Sequence, residues 1–213
     1  MRLLVPALAL ALSLPLAVAA QDIEKVNGEI SVDAGQHAGD LHSVNGGIQV
    51  GANAVVQGAS TVNGSIHLGD NAQASSLHTV NGSLTLRTGS RVTGEVESTN
   101  GDISLDSRAE VGGNLANVNG TITLNHAHIG GGVATSNGDV TIGEGSRIDG
   151  GLVVREVHGR NWPNRDPEII IGPHAVVNGT LEFRRDVVLE VSDSAQIGAV
   201  RGATPKHFSG ATP

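Results

Sequence analysis

The sequence predicts an all-β chain: a single-stranded β-solenoid (β-helix) of about nine triangular coils, each 18–19 residues long. Three observations carry this. A corner motif, V-N-G, recurs at Val26-Asn27-Gly28, Val44-Asn45-Gly46, Val62-Asn63-Gly64, Val80-Asn81-Gly82 and Val118-Asn119-Gly120, with variants at Thr99-Asn100-Gly101 and Ser136-Asn137-Gly138. Its Asn positions stand 18 or 19 residues apart throughout. Each corner opens a strand of period 2, and the composition suits a narrow aliphatic interior rather than a globular core.

Residues 1–20 come first. Arg2, a Leu/Ala/Val run and the ending Ala17-Val18-Ala19-Ala20 make a secretory signal peptide, with cleavage expected after Ala19 or Ala20. The run is too short and Ala-rich for a membrane span, so no transmembrane segment is expected after cleavage. The chain has no Cys, which excludes both a lipid-anchored lipoprotein and disulfide bracing. Export to the periplasm or the cell exterior is the expected localisation.

Loss of Arg2 with the leader moves the net charge from −8 to −9, which argues against a nucleic-acid partner. Trp162, Phe183 and Phe208 are the only aromatics. Stacked Ile, Val, Leu and Ala fill a solenoid without them.

Aligning the repeats on the corner Gly gives the strands. Two residues after it stand Ile30, Ile48, Ile66, Leu84, Ile103, Ile122 and Val140; four after it stand Val32, Val50, Leu68, Leu86, Leu105, Leu124 and Ile142. Mostly polar residues lie between, so one face is buried. A G-x-x-[AS] turn and an A-x-[VI]-x-G segment follow, as in Ala54 to Gly58 and Ala109 to Gly113. A third apolar position (Leu77, Val96, Leu115, Val133, Leu152) then precedes the next corner. Each unit therefore holds three short strands, and units bury their apolar faces only by stacking.

At the corner, Gly accepts positive φ and Asn tolerates the left-handed region, so the pair is expected to make a tight turn. Stacked corners would align Asn27, Asn45, Asn63, Asn81, Asn100, Asn119 and Asn137 in a carboxamide ladder. Gly58, Gly94, Gly113, Gly131, Gly150 and Gly179 are expected to form a small inward column. Coils start near residues 27, 45, 63, 81, 100, 119 and 137. An eighth resumes at Ile169 to Gly179 with its corner at Asp166-Pro167, after an insertion near 156–166; a shorter ninth runs from Leu189 to Ile197. At ~4.8 Å per coil the rod would be roughly 43 Å long. The solenoid is placed at 21–200, and the tail 201–213 is expected to be disordered.

The A-x-[VI]-x-G-x-[LV] segments, Ser90 to Val96, Ala109 to Leu115 and Ala175 to Leu181, resemble the repeat of bactofilins, polymer-forming bacterial cytoskeletal proteins. That resemblance implies a right-handed β-helix that polymerises end to end without nucleotide. The N-G-D-[IV]-x-[LI] strands also resemble exported adhesin-type bacterial solenoids. The spacing around Ile142-Gly143 and Ile171-Gly172 fits the hexapeptide repeat of left-handed helices as well; right-handed is the reading adopted.

Chemistry-bearing residues are few. His126-Ala127-His128 sets two imidazoles two residues apart, the start of a metal site with no third ligand in the neighbouring columns. His42 and His78 share a column two coils apart, too far to share an ion. His174 sits in a hexapeptide-like segment, as does the catalytic His of hexapeptide acyltransferases. Asp102 and Asp139 share an outward column at a separation suited to an inverting carboxylate pair, with Thr121 between them. Gly130-Gly131-Gly132 opens no helix, so a phosphate loop is unsupported. Thr85, Ser104, Thr123 and Thr141 make a short hydroxyl column of the kind used by ice-binding solenoids. N-G-[ST] sequons at Asn63, Asn81, Asn119 and Asn178 follow from the corner itself.

The insertion is the one non-repetitive feature. It holds the only Trp, and His158, Arg160, Trp162 and Arg165 are its candidate partner-binding residues. The sequence thus reads as a non-enzymatic structural or scaffolding solenoid at the cell envelope, with no cofactor and no metal. Its partners would be copies of itself through coil ends, or an envelope or surface polymer. The alternatives are an adhesin-type surface module using the Trp162 loop, and a β-helix enzyme acting on polysaccharide or acyl groups.

Overall fold

The computed structural model describes residues 20–156 and 165–213. The leader, and His158, Arg160 and Trp162 of the insertion, lie outside the described residues. Every element described is a strand or a turn, and the strands form three parallel sheets.

The first sheet stacks ten strands, from Ile23–Asn27 through Ser76–Asn81 to Val200–Arg201. The second stacks ten, from Ile30–Val32 to Lys206–Phe208. The third has seven, Gln73–Ala74 to Gln196–Ile197, extended toward the N-terminus by bridges His37 to Val55 and Val55 to Gln73. The chain visits them in turn, so each strand pairs with its counterpart one coil away, over about nine turns. The period fixes the register: Ile30 aligns with Ile48, Ile66 with Leu84, Ile103 with Ile122 and Val140 with Ile169. A one-residue slip would turn these columns outward, so burial holds the register. The aliphatic columns are buried from Ile30 to Val191, with Phe183 added near the C-terminal end.

Four sequence expectations need correction. The first coil begins at Ile23, not 27: Ile23–Asn27 pairs in register with Leu41–Asn45. The tail is ordered where Lys206–Phe208 adds a last strand to Val188–Ser192. Of the expected inward glycines, Gly94, Gly113, Gly131, Gly150 and Gly179 line the third corner. There each amide donates to the carbonyl one coil below, as Gly113 does to Gly94 at 2.9 Å. Gly58 instead opens a first-sheet strand.

The last correction concerns the Asn-Gly corner. No ladder Asn has positive φ, and among the corner glycines only Gly28, Gly101 and Gly120 do. The stronger constraint is close stacking: a Cβ on Gly46, Gly64, Gly82 or Gly138 would collide with the carbonyl of the corner glycine below. Left-handed backbone belongs to the corner between second and third sheets, at Gly35, Asn53, Asn71, Gly89, Arg108, His126, Gly145 and His174. Gly, Asn and His are residues that tolerate it.

Candidate functional site

The corner where the insertion leaves the rod is the most organised polar feature. From Asn45 to Asn137, each ladder Asn donates from Nδ2 to the Oδ1 of the Asn one coil below, at 2.8–3.2 Å. All six bonds point the same way. Each amide offers one carbonyl and one NH₂, so a uniform chain leaves an unmatched donor at Asn27 and an unmatched acceptor at Asn137. Arg185, 48 residues further on, supplies the missing donor: its Nη1 lies 2.6 Å from Asn137 Oδ1 and 3.3 Å from the Ser136 carbonyl.

Beneath the ladder runs a buried polar column that the repeat alignment passed over. Thr61, Thr79 and Ser98 donate to the carbonyl of the corner glycine below (Gly46, Gly64, Gly82), at 2.9, 2.9 and 3.2 Å. Asn117 bridges the Gly101 and Gly120 carbonyls at 3.0 Å each. The signal was present as a Ser, Thr or Asn two residues before each Asn of the corner, from Ser43 to Thr135. Outside the ladder stand Val26, Val44 and Val62, the exposed large hydrophobics of the described residues.

The insertion is rooted on this ladder's last rung. Arg165 pairs with Asp139 at 2.6 Å, and that hydrogen bond raises the guanidinium above its ordinary value. The other Asp139 oxygen accepts the Glu168 amide at 2.9 Å. Arg185 Nη2 also donates to the Arg165 carbonyl, so one side chain joins the ladder's end to the loop's root. A groove of about 310 Å³ on the first sheet adjoins the other root, lined by Glu95, Glu97, Ala116, Ala134, Val153 and Arg155 among others.

The His126–His128 pair separates. His126 occupies the left-handed corner, its Nδ1 2.9 Å from Asn125 Oδ1, whereas His128 stands on the third sheet. Contrary to expectation, His128 has carboxylates in both neighbouring coils: Asp149 at 2.8 Å and Glu110 at 4.0 Å. Arg91 salts Glu110 at 2.5 Å, and Arg147 salts Asp149 at 2.6 Å. The hydrogen bond with His128, with Arg147 beside it, holds Asp149 below the usual carboxylate value. These groups form a line along the rod, and among the described residues no three His, Cys, Asp or Glu converge as a metal cage.

His42 and His78 share a column across Ser60; His42 Nδ1 lies 2.6 Å from Ser60 Oγ, and His78 lies 3.5 Å from Glu97. Asp102 and Asp139 are each tied to backbone amides, of Thr121 and Glu168. The amides of Gly130, Gly131 and Gly132 are taken by Val111, Gly113 and Asn114, so none remains for a phosphate. His174 sits at the left-handed corner, its amide on Ser194 Oγ. The hydroxyl column runs in register from Thr85 to Thr141, between His67 and Ile170. No known protein family, curated protein or solved structure matches the chain.

Proposed function

We propose that this chain is an exported, non-enzymatic structural rod that serves as a scaffold at the cell envelope and can associate with copies of itself through its coil ends. One observation carries the reading. The Asn corner runs uninterrupted for seven coils and ends where the insertion begins, and two arginines there are tied into the rod: Arg165 to Asp139, Arg185 to Asn137. A rigid, self-satisfied rod with a single anchored departure suits holding something at a fixed place. His42, His128, Asp102 and Asp139 are spent on inter-coil bonds, which favours scaffolding over catalysis.

A second reading, an adhesin-type surface module, is favoured by the groove beside Arg155 at the loop's root. Crosslinking the tagged full chain in its host, followed by envelope fractionation, tests both. Scaffolding predicts recovery with envelope material on the inner side of the surface. An adhesin predicts protease-accessible protein on intact cells. Recovery only as a soluble cytoplasmic protein contradicts both.

A further inference from the structure

The two open ends of the rod are built alike. Along the first sheet one inward column reads Ser43, Thr61, Thr79, Ser98, Asn117, Thr135, Val154 and Phe183, all buried. In the first coil the register puts Lys25 at this position, opposite Ser43. Its Nζ folds across the open end to the Glu29 carbonyl at 2.6 Å. Along the second sheet the inward column runs from Val32 to Val191, aliphatic and buried throughout. In the last coil the register puts His207 opposite Val191. Each end thus carries an ionisable side chain where every inner coil has none.

On the first sheet the ends match. Carrying its columns from the last coil of one copy into the first of another sets Val200 against Ile23, apolar on apolar. The third sheet has nine layers to the other two's ten and leaves one layer open between Ile197 and Ala38. The same stacking sets Arg201 against Glu24. The first coil bears Asp22, Glu24, Glu29 and Asp33 around Lys25, whereas residues 193–213 bear Arg201, Lys206 and His207 against Asp193 as their one acidic side chain. A solenoid end also exposes a row of backbone donors and acceptors that a second strand completes.

We infer that Lys25 and His207 are guards that hold off head-to-tail, in-register stacking of a second copy of this chain. An inward-pointing charge on an edge strand must lose its water before another strand pairs there. The first-sheet ends are complementary at Val200 and Arg201, and the guards occupy one inward column on each of the first and second sheets. Around His207 stand Glu190, Lys206 and Asp193, the last 3.7 Å from its Nδ1. The inference rests on the reading of coil ends as self-association surfaces and is independent of envelope attachment through the loop.

Sedimentation velocity across protein concentration tests it on the leaderless chain. The unaltered protein is expected to associate only weakly. Lys25→Ser with His207→Val should tighten self-association by a factor on the order of ten or more. In that background Glu24→Arg should undo the assembly, and adding Arg201→Glu should restore it. A double variant that stays monomeric, an unaltered chain that assembles equally well, or charge reversals without effect overturns the inference. If the double variant loses its β-rich circular dichroism, Lys25→Gln with His207→Gln removes the ionisable groups alone and is read the same way. A monomeric double variant that still fractionates with the envelope sinks the guards and leaves the scaffold reading intact.

Discussion

Arg185 Nη1 donates to Asn137 Oδ1 at 2.6 Å and closes a hydrogen-bonded chain that starts at Asn27. A run of carboxamides, all donating in one sense, ends on an oxygen without a partner. A guanidinium offers five donors and never loses its charge, so it fills that vacancy while holding the Arg165 carbonyl with another N–H. The ladder's end and the insertion's root are therefore one polar cluster.

From Asn27 to Asn100 the ladder side chains are exposed, which lowers the expected value of each rung there. Asn81→Ala removes one bond to Asn63 at 2.9 Å and one from Asn100 at 3.0 Å. The cost should be about 1–2 kcal/mol by urea unfolding. Asn27→Ala, which removes a single 3.2 Å bond at the rod's end, should cost less than half of that. Equal costs would show that the rungs do not act through these bonds.

The corner glycines separate steric from dihedral causes. Gly82→Ala drives a Cβ into the Gly64 carbonyl and should cost at least about 3 kcal/mol. Gly28 has φ 94 with open space around the added carbon, so Gly28→Ala should cost only about 1–2 kcal/mol. Thermal melts of the two proteins check the order.

The buried hydroxyls divide in the same way. Thr79→Val strips the Gly64 carbonyl of its 2.9 Å donor and should cost about 1–2 kcal/mol. Ser43 Oγ is buried without a partner, so Ser43→Ala should change stability by less than about 0.5 kcal/mol, or raise it. Denaturant midpoints decide between them.

Asp149 gives the acid limb a sign. His128 and then Arg147 hold its folded value below the ordinary 3.8. The unfolded chain therefore takes up a proton first. The stabilisation is complete above 3.8 and fades as pH drops through the lower folded value. Asp149→Asn should be less stable at neutral pH, with the gap to the unaltered protein narrowing as pH falls below 3.8. A gap that stays constant with pH would assign the loss to packing.

The fold was legible because burial acts on every repeat: a period of 18–19 residues leaves one arrangement that buries Ile30, Ile48 and their successors together. The ladder was legible because its residue never varies. The line through His128 was not. Counting from the corner glycine, Glu110 stands nine residues on and His128 eight, because the turn at Asn125-His126 is one residue shorter. That slip hides the pairing from a fixed-offset alignment. The left-handed corner escaped because Gly, Asn, Arg and His all serve there, at Gly35, Asn53, Arg108 and His126. The last strand escaped because Gly202 and Pro205 read as irregular, though Lys206–Phe208 still finds the open edge of Val188–Ser192.

The scaffold reading stands or falls on the anchored insertion. The direct measurement is envelope fractionation of the host producing a chain that lacks residues 157–164, with circular dichroism taken on the same purified protein. The account predicts an unchanged β-rich spectrum, because the bonds of Arg165 and Arg185 lie outside the deletion, together with loss of the envelope-bound fraction. An intact spectrum with envelope binding undiminished would contradict it.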